Sequence, residues 1–216
     1  MTFIHTPISV TPLHRKEVFG TRHYTDGITK YPSITTILGK TADKTYLKEW
    51  ENRLGPANAK KETQRCADRG TELHALCEQY LNNLDFETKN KLFTQLRPHL
   101  RKLNNIIMQE TALKSDYLKI AGTVDCIAEY SGILSVIDYK SSNNAKTEDM
   151  IFDYFLQATF YALAFFEETG IMIENIVIFI AVEGKSMPQI YKKSIIPYIK
   201  PLKERIALYY EKHPNK

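Results

Sequence analysis

Apolar positions follow two different periods along this chain, and the change of period divides it. From about residue 43 to 53, 57 to 83 and 87 to 108 they recur at three- and four-residue spacing, which predicts amphipathic helices. The Gly55-Pro56 pair breaks the first helix from the second. Ahead of them, Arg22-His23-Tyr24-Thr25-Asp26-Gly27-Ile28-Thr29 carries an Asp-Gly hairpin signal, and Pro32-Ser33-Ile34-Thr35-Thr36-Ile37-Leu38 reads as a helix entry capped by Ser33. Beyond residue 108 the pattern turns to strand-like runs near 110–118, 120–130 and 133–140. A very apolar helix near 149–168, a strand at 173–182 and a last helix near 196–212 follow. This order predicts an α/β fold, a mixed sheet with helices packed on it and a helical N-terminal portion.

Residues 121 to 142, AGTVDCIAEYSGILSVIDYKSS, place Asp125, Asp138 and Lys140 among apolar neighbours. Ser131-Gly132 predicts a two-residue hairpin turn, with Tyr130 facing Ile133. Stepping outward along antiparallel strands then sets Asp125 opposite Asp138, and strand alternation sends Lys140 to the same face. A bulge would shift that register. Opposed Cβ atoms lie roughly 4.5–5.5 Å apart, so two carboxylates there repel unless a proton or cation sits between them. Two carboxylates and a lysine at this spacing fit metal-assisted phosphodiester hydrolysis. Mg²⁺ or Mn²⁺ prefers oxygen ligands, acidifies water and offsets phosphate charge, while the lysine orients or activates the water. The plainer alternative is a hairpin whose exposed face carries Asp, Asp and Lys.

Composition adds a setting. The 216 residues are 43% hydrophobic, which suits one globular domain. No apolar run approaches the ~18 residues needed to span a bilayer, and the start, MTFIHTPISVTPLHRKEVFG, lacks the compact apolar core of a secretory signal. An intracellular protein with no membrane partner is expected. Cys66, Cys77 and Cys126 show no Cys-x-x-Cys spacing and cannot all pair, so they are expected to be buried small apolar residues. The net charge of +4 is unevenly spread. Residues 89–120 carry seven Lys/Arg against two acids, residues 185–216 carry eight against two, and residues 121–184 carry two against ten. An acidic metal pocket in a basic cradle for a polyanion gives this pattern, as does ordinary solvated surface charge.

Two more patterns bear on the site. In Gly70-Thr71-Glu72-Leu73-His74-Ala75-Leu76-Cys77-Glu78, His74 and Glu78 share one helix face, where His74 is placed to complete a metal shell and a surface ion pair is the alternative. Gln157 and Tyr161 stand one turn apart on an otherwise apolar helix, where such a pair taken alone caps a core. Together, Gly70 to His74, Gly122-x-x-Asp125, Asp138-x-Lys140 and Gln157-x-x-x-Tyr161 resemble, in that order, the PD-(D/E)xK nuclease superfamily and its RecB-like branch. The first motif is one residue longer than the family's Gly-x-x-His. Within the branch, YPSITTIL, DCIAEYSGILSVIDYKSS and FDYFLQATFYALAF are similar to segments of the mitochondrial genome maintenance exonucleases, so the resemblance runs from about residue 31 nearly to the C-terminus.

The resemblance implies a restriction-endonuclease-like mixed central sheet flanked by helices, formed by residues 1–216 as a single domain. Residues 1–108 would be its hairpin and helical portion and 109–216 its catalytic core. It implies that His74, Asp125 and Asp138 hold Mg²⁺ or Mn²⁺, with the Tyr139 carbonyl a further ligand, and that Lys140 assists attack by water. Asp125, Asp138 and Lys140 are the catalytic set. Gln157 and Tyr161 would support the site or touch the nucleic-acid backbone, Ser141 and Ser142 would contact a phosphate, and Glu78 and Glu110 would stand behind the ligands. Glu110, in QETALKS, matches an acidic position ahead of the first catalytic strand in several relatives.

The implied activity is a metal-dependent exonuclease on free ends of single-stranded DNA, threaded through a helical portal. Residues 43–69 offer Lys44, Lys48, Arg53, Lys60, Lys61, Arg65 and Arg69 with Tyr46 and Trp50, a mix suited to phosphates and stacked bases. A solvated helix pair with Trp50 packed inward is the alternative there. For the whole protein, the alternatives are a duplex-specific exonuclease, a flap endonuclease, or a non-catalytic DNA-binding module with a nuclease fold. The chain lacks the cysteine quartet of the iron–sulfur members, so no such cluster is expected. It has no P-loop Gly-Lys-Ser/Thr, so unwinding would come from a partner such as a replication or recombination protein. No mitochondrial presequence is evident, and the cytoplasm of a bacterial or phage-infected cell is the expected location.

Overall fold

The computed structural model describes residues 2–18 and 21–213. It begins with three short antiparallel strands, β1 (His14–Val18), β2 (Thr21–Thr25) and β3 (Lys30–Pro32), in the order β1-β2-β3. The expected turn joins β2 to β3: Gly27 has a φ of 98°, and the Asp26 carboxylate accepts the backbone N–H groups of Ile28 and Thr29 at 3.0 and 2.7 Å. Helix α1 (Ile34–Thr41) follows at once, capped as expected by Ser33, whose Oγ accepts the Thr36 N–H at 3.0 Å. Helices α2 (Thr45–Leu54) and α3 (Pro56–Leu81) meet at Gly55, whose φ of 79° ends one helix while Pro56 opens the next.

Helix α4 (Lys91–Leu100) is shorter than the periodicity predicts, because Leu103 already begins the long strand β4 (Leu103–Ser115). Leu103, Ile106 and Ile107 mimic helical spacing. Asn104-Asn105 between them favours an irregular backbone, and Asn105 adopts a φ of 47° within a stretch where the strand register shifts. Strands β5 (Ile120–Tyr130) and β6 (Ile133–Ser142) form the expected hairpin. Ser131 and Gly132 sit at φ 53° and 82°, as a type I′ turn requires, and Tyr130 pairs with Ile133.

A 3₁₀ turn (Asp149–Ile151) leads into α5 (Phe152–Thr169), then β7 (Asn175–Val182), β8 (Gln189–Ser194) and α6 (Ile196–Lys212). β8 has no clear signal in the hydrophobic pattern, since its QIYKKS run is polar, as suits an edge strand. β4 to β8 make one sheet in that order, antiparallel except at β6–β7, the parallel pair that α5 connects. One apolar core, with Ile34, Val124, Val136, Phe155, Phe160, Ile178 and Leu202, joins the sheet to α1, α5 and α6. A second, with Leu73, Cys77, Leu96, Cys126, Ile137, Tyr139 and Phe179, joins it to α3 and α4. The small sheet is fastened beside β5 by a bridge between Ser33 and Ala121 and by a 2.8 Å hydrogen bond between the Tyr24 hydroxyl and Thr123 Oγ1. Among the described residues, no helix is long and apolar enough to cross a membrane.

Candidate active site

Where β4, β5 and β6 run side by side, the sheet's alternation of faces fails. Met108 and Leu113 pack in one core although they stand five positions apart, an odd offset that regular alternation would send to opposite faces, and so do Val124 and Ile127, three apart. The faults fall at Glu110 and Asp125. By register these two oppose each other, between the pairs Gln109↔Cys126 and Thr111↔Val124. Glu110 takes a φ of 44°, a left-handed conformation that costs a non-glycine residue on the order of 1 kcal/mol or more. On the other side, the β5–β6 ladder keeps the expected register to Cys126↔Ile137 and stops one step before Asp125 and Asp138. These two are therefore not a ladder pair. Asp125 Oδ2 instead accepts the Tyr139 N–H at 2.7 Å, which fixes the carboxylate and leaves Oδ1 facing α3.

α3 brings His74 to that oxygen. Its Nε2 lies 2.8 Å from the Tyr139 carbonyl, which can only accept, so Nε2 carries the proton. Nδ1 then faces Glu110 Oε1 at 3.4 Å and Asp125 Oδ1 at 3.6 Å. Burial opposes a charged ring, but the Asp125 and Glu110 carboxylates outweigh it and push the imidazole up to about 9. Ligand atoms of His74, Glu110 and Asp125 all lie within 4.8 Å of one another. One imidazole nitrogen with carboxylate oxygens at this spacing fits a divalent cation. Glu110, expected behind the ligands, lies in the same cluster as His74 and Asp125. The Tyr139 carbonyl, expected as a ligand, accepts the His74 Nε2–H and keeps a second lone pair.

Asp138 lies beside this group, almost fully buried, and the Lys140 ammonium touches both its carboxylate oxygens. Burial pushes the Asp138 carboxyl above the usual carboxylate range, Lys140 pulls it back, and Asp125 adds to the rise. Burial also works against the Lys140 charge, and Asp138 and Asp125 outweigh it, holding the ammonium above the ordinary lysine value. The Lys140 Nζ also lies 5.1 Å from the centre of the Tyr154 ring, a cation–π contact.

Behind β5, Gly122 explains both its own motif and that of α5. A Cβ at this position would stand 2.9 Å from Ile34 Cγ2 and from Tyr161 Cε1, so only glycine lets α1 and α5 close on the strand. Tyr161 is buried, and its hydroxyl accepts from Gln157 Nε2 at 3.1 Å. Other expected site residues are engaged elsewhere. Ser141 Oγ accepts the Arg69 Nε–H at 3.1 Å, and Ser142 donates to the Asn144 carbonyl at 2.7 Å. Arg65 and Arg69 both pair with Glu183, tying α3 to the end of β7. Lys48 and Arg53 are exposed on α2, Trp50 is half-buried there, and Lys60 and Lys61 are exposed at the start of α3. Cys77 and Cys126 are buried as expected, whereas Cys66 is half-buried at the edge of the cleft.

That cleft has a volume of about 610 Å³ and takes in His74, Glu78, Glu110, Asp125, Lys140, Gln157 and Tyr161. Its far wall holds Arg15 and Arg22, which no motif points to. The signal open to sequence reasoning is the period-two spacing of Arg22 and Tyr24 in the hairpin.

Comparison with known proteins agrees with this geometry. Residues 51–180 match the PD-(D/E)XK nuclease superfamily. The chain is 29% identical over 143 residues to mitochondrial genome maintenance exonuclease 1 of Homo sapiens, an alignment covering 60% of this chain and 40% of the relative. It is 30% identical over 128 residues to the protein of the same name from Xenopus tropicalis, covering 53% and 37%. The matched region is thus less than half the length of these relatives.

Proposed function

The chain belongs to the PD-(D/E)XK nuclease superfamily, and from that premise we propose that it is a divalent-cation-dependent deoxyribonuclease trimming single-stranded DNA from free ends. The observation that carries the reading is the meeting of His74, Glu110 and Asp125 in one cleft, with Asp138 and Lys140 beside them. Mg²⁺ or Mn²⁺ held by His74, Glu110 and Asp125, with Asp138 adjacent, would supply Lewis acidity toward a phosphodiester oxygen and offset charge on the phosphate. Lys140, steadied by Asp138 and Tyr154, hydrogen-bonds the attacking water or a phosphate oxygen. The Tyr139 backbone joins the two sides of the site, since its N–H holds Asp125 and its carbonyl sets the His74 tautomer.

End-dependence is supported by the similarity to proteins named exonucleases. A single-stranded substrate is supported by α2, which has no buried residue and carries Tyr46, Lys48, Trp50 and Arg53. The test follows 5′- and 3′-labelled single strands, with duplex, flap and closed circular controls, in Mg²⁺, Mn²⁺ and chelator, comparing the parent with Lys140→Ala. Cation-dependent trimming of linear single strands is expected, with a loss of about 100-fold or more in the variant. Cutting of circles would make the protein an endonuclease. Binding without cutting of any substrate would make it a non-catalytic module.

A further inference from the structure

The far wall of the cleft has its own chemistry. In the β1–β2 register Arg15 pairs with Tyr24, and Arg22 precedes Tyr24 by two positions, so the three side chains share one face of the small sheet. Tyr24 is buried and bonded to Thr123 of β5, two residues before Asp125, which aims that face at the acidic site. Both guanidinium groups consequently line the same cleft as His74, Glu110 and Asp125. Arg65, Arg69 and Arg205 each have a carboxylate partner. Neither Arg15 nor Arg22 has a side-chain hydrogen bond or ion pair among the described residues, although Glu17 stands across the strand from Arg22. Arg15 is exposed and Arg22 partly so, and the two guanidinium groups share a cleft with the candidate cation cluster, where they are free to meet an anion.

The surface beyond them continues the line. Arg22 and Thr35 also border a second hollow of about 340 Å³ that runs along α1 to Lys40 and Lys44, with three basic side chains and one acid, Glu17, in its lining. A groove that starts at the acidic row and passes basic side chains on the way out has the charge order of a polynucleotide path. On such a path the candidate cation cluster would take the scissile phosphate and the arginines its neighbours.

Building on the nuclease reading, we propose that Arg15 and Arg22 are positioning residues that hold the phosphates flanking the scissile bond, and that the strand leaves the cleft over α1 toward Lys40 and Lys44. Arginine suits this place because its planar fork meets two phosphate oxygens at once, and because phosphate contacts fix register without reading sequence.

The experiment measures the affinity of a labelled single-stranded oligonucleotide in chelator, where no cleavage occurs, as a function of salt. The proteins compared are the parent, Arg15→Ala, Arg22→Ala and Arg22→Lys. Steady-state cleavage is measured in parallel. Each alanine variant is expected to bind about tenfold more weakly, with the slope of log K against log salt falling by about 0.7 for a lost single-strand contact. KM should rise more than kcat falls. Arg22→Lys should keep the salt slope and recover part of the affinity, which loss of a merely structural residue would not give. Unchanged affinity and slope in both alanine variants, with the parent cutting normally, would overturn this assignment and leave the nuclease reading standing. A parent that neither binds nor cuts would overturn both.

Discussion

His74 is the residue on which the candidate site turns, because a proton and a cation compete for its Nδ1. In the folded chain its pKa is raised from 6.5 to about 9, since the Asp125 and Glu110 carboxylates outweigh the cost of burying a charged ring. A raised folded-state pKa stabilises the fold fully below the unfolded value near 6.5, and that stabilisation is lost as pH rises through about 9. Without added metal, the melting temperature should therefore fall between pH 6.5 and 9.5, a loss on the order of 3 kcal/mol. His74→Gln should flatten the fall. Added Mg²⁺ or Mn²⁺ should reverse it, stabilising more at pH 9 than at pH 6.5, because only the neutral ring offers a lone pair. A melting profile indifferent to pH in both proteins would refute the described contact of His74 with the two acids. Sequence alone could single out His74, Asp125, Asp138 and Lys140 by spacing. It could not rank Glu110 beside them, because that depends on a left-handed backbone turn that no residue type there announces.

At the scale of elements, the motif residues act chiefly through what they let pack. Gly122 has no need of positive φ; it is required because α1 and α5 meet over it. Tyr161 is buried and cannot retreat, and Ile34 belongs to the main core. Gly122→Ala should destabilise the protein by roughly 1–3 kcal/mol, the usual cost of overpacking a filled core. Urea unfolding should show a lowered midpoint with an unchanged slope, and nuclease activity should fall as β5 and Asp125 shift. An unaltered midpoint would mean that the helices can part without loss. The same scale shows where periodicity misleads. The hairpin about Ser131-Gly132 and the cap at Ser33 were legible because turn and cap chemistry is local. The end of α4 and the start of β4 were not, since Leu103 and Ile106 satisfy either period until the strand finds β5 as its partner. β8 gives little signal because an edge strand needs few apolar residues.

Across the whole molecule, most of the acidic segment of the linear charge pattern resolves into local pairing. Residues 121–184 hold ten acids, yet only Asp125 and Asp138 of that segment stand at the site. Glu183 pairs with Arg65 and Arg69, Asp153 with Arg205, and Glu148 with Lys193. Glu167 and Glu168 accept backbone N–H groups of Asp116, Tyr117, Thr11 and Lys114. Most of the acidity therefore holds elements together. Among the described residues, basic side chains without a bonded carboxylate include Arg15 and Arg22, which line the cleft from the small sheet, and Lys48 and Arg53 on α2, outside its lining. The α2 side offers the sharper separation of binding from folding, because none of its residues is buried and Tyr46 is 62% exposed. Trp50 is half-buried, so replacing it removes little core. Trp50→Ala should leave the melting temperature within about 2 °C of the parent while weakening single-strand binding by about tenfold, as loss of one base-stacking platform does. If Trp50→Ala instead melts many degrees lower and binds normally at low temperature, the aromatic residue serves the junction of α2 with α3, and the strand must approach along the small sheet alone.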